Sequence, residues 1–159
     1  MPVDQAEFRR VMGHFATGVT VITTHDGGGN LAGLTANAVA SVSLAPPLVL
    51  VCVDKVSESY PSFGASKVFA INILRDDQEA VSRRFAKSGG DKFTGLGYRT
   101  GVTGCPLLND VIAHLECEVR HAFDAGDHTI YVGEAIETAV DAEREPLLFF
   151  RGGYRNISR

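Results

Sequence analysis

Residues 19–24 (VTVITT) are β-branched or hydroxylated throughout, and Asp26-Gly-Gly-Gly-Asn30 follows them. This predicts a strand, a tight turn and a returning strand over 31–35. Residues 39–44 alternate in character, Pro46-Pro47 bars a helix, and 48–53 (LVLVCV) reads as a buried strand. Residues 57–67 predict a loop and a short helix, and 68–74 (VFAINIL) another strand. Two long strand-like runs, 111–123 and 129–140, meet at 125–127, and 147–150 (LLFF) closes the series before Arg151-Gly-Gly-Tyr154. Helical spacing appears twice. Asp4 and Glu7 form a capping-box arrangement ahead of Phe8, Val11, Met12 and Phe15, which predicts a short helix with those four side chains on the core. Residues 76–87 predict the longest helix, with Asp76 as its cap, Ala80, Val81 and Phe85 on one face, and Ser88-Gly-Gly90 as its stop. The glycine-rich segment 93–106 reads as loop.

Strands that follow one another with a single long helix between them predict antiparallel closure into a small closed or half-closed barrel with peripheral helices, not a βαβ sheet. At 159 residues the chain fits one domain, 1–159, able to bury its own core without disulfide or metal. The net charge is −4, and there is neither a basic footprint for nucleic acid nor a polybasic segment for lipid. No apolar run is long enough to span a membrane. Cys52, Cys105 and Cys117 are widely spaced, and no signal peptide is visible, so a reducing cytoplasm is expected.

Dinucleotide-fold, P-loop, nucleophile-elbow and zinc-protease motifs are absent. His114, His121 and His128 recur every seven residues, but a step of seven swaps strand faces, so no metal site is expected. Three stretches resist a packing explanation. Thr35, Asn37, Ser41 and Ser43 stand among small residues, either as a seam where a planar ligand reaches the backbone or as the solvent face of an edge strand. Residues 54–59 (DKVSES) suit a phosphate, or a polar turn with a helix cap. In 126–133 (GDHTIYVG), Asp127 is placed to orient His128, or serves only the turn.

Taken together, these stretches resemble the flavin reductase family, the small component of two-component flavin-dependent monooxygenases. The resemblance runs through 8–24 (FRRVMGHFATGVTVITT), 33–53 (GLTANAVASVSLAPPLVLVCV), 69–74 (FAINIL), 83–93 (RRFAKSGGDKF), 114–119 (HLECEV), 126–134 (GDHTIYVGE) and 146–155 (PLLFFRGGYR), in the family's order. It implies a mainly β fold, a six-stranded antiparallel Greek-key split barrel of the FMN-binding type, as a homodimer. The implied activity uses NADH or NADPH to reduce FMN or FAD and passes the reduced flavin to an oxygenase. Carried over by position, the flavin ring lies along Thr35, Ala36, Asn37, Ser41, Val42 and Ser43. Its ribityl phosphate lies near Cys52, Val53, Asp54, Lys55, Ser57 and Ser59, with Phe85 and Lys92 flanking it. The nicotinamide side is His128, as the catalytic positioning group, with Arg151, Gly152, Gly153 and Tyr154. Ala38, Val39 and Ala45 depart from the T-A-N-S-F and S-L-D-P of relatives, removing a hydroxyl and an aromatic ring near the flavin edge. The sequence stops soon after Arg155, so no tail is expected over the site. The alternatives are a non-enzymatic flavin- or haem-binding split barrel, and a pyridoxamine-phosphate oxidase-like enzyme, which would need more basic residues.

Overall fold

The computed structural model describes residues 2–158; Met1 and Arg159 of the expected 1–159 domain lie outside the described residues. In chain order the elements are α1 (Gln5–Met12), β1 (Thr17–Gly18), β2 (Thr20–His25), β3 (Leu31–Ala36), β4 (Val39–Leu44), β5 (Pro47–Asp54), α2 (Tyr60–Ser66), β6 (Val68–Ile73), α3 (Glu79–Ala86), β7 (Tyr98–Thr100), β8 (Pro106–Leu108), β9 (Ala113–Ala125), β10 (His128–Val140), β11 (Leu148–Phe150) and β12 (Gly153–Arg155). The fold is mainly β with few helices, and every ladder is antiparallel.

The expected six-stranded barrel is corrected. The main sheet has seven strands, in the order β3-β2-β6-β9-β10-β5-β4, and is not closed. β4 turns back at once onto β5, pairing Leu44 with Pro47, and so takes the far edge instead of pairing with β3. Among the described residues no ladder joins β3 to β4. Their connector crosses over β5, where Cys52 N–H donates to Ala38 O at 3.1 Å. Two small sheets, β1-β11-β12 and β7-β8, stand beside the main one.

Period-two alternation explains why β2 is buried along almost its whole length. Ile22 faces a cluster with Val51, Val53, Phe63, Phe69 and Ile71, whereas Val19, Val21, Leu74, Phe85, Phe93 and Leu147 form a second cluster against α3. The β9–β10 hairpin turns on Gly126 and Asp127, with Gly126 at φ +65, a conformation glycine adopts without a Cβ clash.

Three further expectations are corrected. α1 is capped as its sequence predicts, Glu7 N–H donating to Asp4 Oδ1 at 2.9 Å, but it buries none of its residues: Phe8 is 60% exposed, Val11 and Met12 are also exposed, and Phe15, just past its end, is 71% exposed. Helical periodicity reports an apolar stripe, not the surface that covers it. α3 starts at Glu79, not after Asp76, because Asp76 N–H donates to Glu145 O (3.0 Å) and the Gln78 side chain accepts from Arg75 N–H (2.9 Å). On its buried face, Ser82 joins Phe85 while Ala80 is exposed. The presumed loop 93–106 holds β7 and the start of β8; buried Glu116 organises the bend between them, accepting from Thr103 N–H (2.9 Å), Thr103 Oγ1–H (2.6 Å) and Val102 N–H (3.2 Å). No helix among the described residues is long and apolar enough to cross a membrane.

Candidate functional site

β3 is a terminal strand, so one of its edges has no strand partner. Two cavities open along it. The larger, about 620 Å³, runs past Asn30 to Gly33 and is walled by Ser59, Lys92, Phe93 and Tyr98. The smaller, about 260 Å³, lies at the other end of the strand, against Thr35, Ala36, Asn37, Ser82 and Tyr154. A third cavity, about 620 Å³ and mostly apolar, sits on the far side of Asn37, between Met12, Phe15 and Thr17 on one flank and Ala38, Val39 and Cys52 on the other. Asn37 lines both the second and the third.

Gly33 sits at the centre of this arrangement. A Cβ there would lie 2.8 Å from Phe85 Cε1, so β3 approaches α3 only with glycine at this position. Ser59, 4% exposed, donates from Oγ to Gly33 O at 3.0 Å and fixes the start of α2 against the same strand; its hydroxyl makes no helix cap. Lys92 Nζ reaches Glu58 Oε1 at 3.1 Å, with only 10% of the side chain exposed. Glu58 also accepts from Gly89 N–H at 2.9–3.0 Å, and these bonds, with Lys92, hold its carboxyl below the usual range.

The small cavity is tied together by hydrogen bonds. Thr35 Oγ1–H donates to Ser82 O at 2.5 Å, and Ser82 Oγ and Tyr154 Oη are 2.6 Å apart. The Tyr154 ring meets Phe149 edge-on at 5.4 Å and lies under the Arg83 guanidinium at 4.9 Å.

The site residues named from sequence lie in several different places. Thr35, Ala36, Asn37 and Tyr154 come together around the small cavity, and Cys52 lies in the apolar one. Ser59 and Lys92 share the large cavity, with Phe85 buried behind Gly33 and edge-on to Phe93 at 5.2 Å. Ser41 and Val42 are exposed on edge strand β4, and they and Ser43 line none of these cavities. Val53 is core, and Asp54 accepts from Val56 N–H as a turn residue at 3.0 Å, while Ser57 Oγ accepts from Ser59 N–H at 3.3 Å. Lys55 is engaged elsewhere: its ammonium pairs with Asp124, which raises its pKa, and donates to Gly126 O at 2.8 Å. It thus clamps the β9–β10 turn to the end of β5. His128 stands opposite Asp54 in the ladder, its Nδ1 2.7 Å from Asp127 Oδ1, a bond that lowers the Asp127 pKa. That contact leaves Nε2 as the ring nitrogen not bonded to Asp127. His128 lines none of the three cavities. Arg151 stacks on Phe150 at 4.5 Å, and its N–H donates to Gly13 O at 2.7 Å, placing the Arg151–Gly153 turn beside the end of α1.

Sequence reasoning missed Ser82, Glu58 and Tyr98. Ser82 carried a signal, a hydroxyl three residues before Phe85 on the apolar helix face.

A family model described as "Flavin reductase like domain" matches residues 12–158. The chain is 40% identical over 152 residues to a flavin reductase of Pseudomonas putida, covering 96% of this chain and 89% of that protein. It is 38% identical to the reductase subunit HsaB of a flavin-dependent monooxygenase from Rhodococcus jostii, covering 98% and 79% respectively. Among solved structures, the NADH:FAD oxidoreductase SgcE6 of Streptomyces globisporus superposes with a TM-score of 0.94 at 40% identity, covering 100% of this chain and 96% of that one. SgcE6 has also been solved in complex with NAD and FAD fragments, matching with a TM-score of 0.93.

Proposed function

The chain belongs to the flavin reductase family, and from that premise we propose that it is an NAD(P)H:flavin oxidoreductase that supplies reduced flavin to a partner monooxygenase. The observation that carries the reading is the pair of cavities along the free edge of β3, meeting small residues and backbone at one end and a largely buried lysine at the other. Flavin and reduced nicotinamide supply the hydride acceptor and donor; the protein supplies orientation and electrostatics.

The residues present fit that task. Lys92 keeps N–H donors beyond the one directed at Glu58, which suits a phosphate at the large cavity. Phe93 and Tyr98 beside it give a wall on which an adenine can stack, so FAD is the proposed flavin, with FMN as an alternative substrate lacking that contact. NADH is the proposed donor, in line with the NADH:FAD relative, and NADPH the alternative. Asn37, which lines two cavities, is the residue proposed to touch both rings and help orient them for hydride transfer. Main-chain donors of the 35–43 segment are assigned to the ring, with Thr35, Ala36 and Asn37 nearest and Ser41, Val42 and Ser43 along the open edge. His128, oriented by Asp127, is proposed to position the nicotinamide.

The exposed apolar side chains of α1 and of Val42 and Leu44 on β4 support a homodimer that covers them, and Phe15→Asp should shift the sedimentation coefficient toward a monomer. A single domain over 1–159 in the cytoplasm completes the reading. Steady-state oxidation of NADH and NADPH with FAD and with FMN tests it: turnover that requires added flavin is expected. Flavin binding without nicotinamide oxidation would return the chain to the carrier reading.

A further inference from the structure

The large cavity carries its charge in three side chains, Glu58, Asp91 and Lys92: two carboxylates against one ammonium. Arg84 donates to the loop carbonyls of Lys92 and Thr94 at 3.3–3.4 Å and is not among the lining residues. A wall of that balance repels the phosphate that the proposed function places there. The two carboxylates are held differently. Asp91 Oδ1 accepts from Phe93 N–H (2.8 Å) and Thr94 N–H (3.2 Å), so it is built into the turn that carries Phe93. Glu58 reaches the loop from the segment before α2. Its two oxygens accept from Gly89 N–H at 3.0 and 2.9 Å, and Oε1 meets Lys92 Nζ at 3.1 Å. An ammonium and a main-chain N–H are the donors that grip a phosphate oxygen. The Glu58 side chain is 44% exposed and can turn into water, whereas that of Lys92, 10% exposed, has little room to follow.

We propose that Glu58 is an internal anion that sets how tightly the site holds a phosphate-bearing flavin: its carboxylate occupies Gly89 N–H and Lys92, and a flavin phosphate must displace it to reach them. The inference rests on the reductase reading and deepens it, naming the residue that weakens flavin retention. A reductase that passes its product to a second enzyme requires a flavin that leaves. Competition from Glu58 acts on the phosphate alone, so the ring contacts that serve hydride transfer are untouched.

Riboflavin tests this, because it has the ring and ribityl chain of FMN without the phosphate. Glu58→Gln keeps an acceptor for Gly89 N–H and removes the charge; Glu58→Ala removes both. In each variant the Kd for FMN and for FAD, read by flavin fluorescence, should fall about two- to fivefold, the span of one partly exposed ion pair. The Kd for riboflavin should stay within about 1.5-fold of wild type, since no charge on it faces Glu58. Riboflavin tightened by the same factor would assign the effect to the shape of the loop. Unchanged or weaker binding of FMN and FAD in either variant would make Glu58 a strut for Lys92. Each result overturns the inference, while NADH oxidation by the wild type keeps the reductase reading. A wild type that neither binds flavin nor oxidises NADH would overturn both.

Discussion

Gly33→Ala places a methyl group in the most crowded part of the site. The added carbon would lie 2.8 and 2.9 Å from Phe85 Cε1 and Cδ1, inside any normal carbon contact, and 3.4 Å from Ile22 O. Phe85 is 2% exposed and cannot swing into solvent. Its route of retreat is toward Phe93, 5.2 Å away, which walls the large cavity. Overpacking of this kind costs roughly 1–3 kcal/mol. At roughly 2–4 °C per kcal/mol for a chain of this size, Tm should fall by about 2–12 °C. Because the displaced rings narrow the large cavity, flavin affinity should fall as well. Thermal melts and fluorescence titration of FAD measure the two effects. Gly64→Ala is the control: no atom lies within 4 Å of its Cβ position, in the interior of α2, so it should be neutral or stabilising by up to about 1 kcal/mol. Phe85→Leu should relieve the clash, so the Gly33→Ala/Phe85→Leu double should be less destabilised than the two losses summed. A Gly33→Ala protein that melts with wild type and binds FAD equally would refute the claim that β3 and α3 meet through this glycine.

Three other outcomes follow from the same geometry. His128→Ala should depress NADH oxidation at least tenfold (on the order expected for a lost positioning group) while leaving the flavin Kd nearly unchanged; equal turnover in mutant and wild type removes His128 from the mechanism. Burial pushes the thiols of Cys105 and Cys117 up to about 11 and about 12, so at pH 8 both stay protonated and inert. Half-buried Cys52, raised less, should alone react with a thiol reagent in the native protein, and FAD should slow it, because Cys52 lines the apolar cavity beside Asn37; three reactive thiols, or no protection, would contradict that placement. With Ala38 and Val39 in place of a hydroxyl and an aromatic ring, the purified protein should be pale and follow added flavin, whereas stoichiometric colour surviving dialysis would show a resident cofactor.

Much of the sheet was legible because its strands alternate or are β-branched: β2, β3, β5, β6 and β10 lie where the sequence puts them. The strand count was not, since nothing in residues 39–44 says that β4 will pair with β5 alone. The stripe of α1 has the same periodicity whether it covers a core or awaits another surface. Lys55 shows a second limit. Its partner Asp124 is remote in sequence, so the ion pair that ties this lysine to the hairpin turn could not be read from residues 54–59. Thr35, Asn37 and Tyr154 were named through the resemblance, whereas Ser82, which bonds Thr35 and Tyr154, was signalled only by its place three residues before Phe85 on the buried helix face.

Anaerobic mixing of the protein with FAD and NADH deuterated at C4 addresses the hydride path itself. The account predicts that the flavin's visible band bleaches in step with loss of the reduced nicotinamide, one for one, with slower bleaching for the deuterated face. Flavin that keeps its colour at a rate no greater than without protein would contradict it.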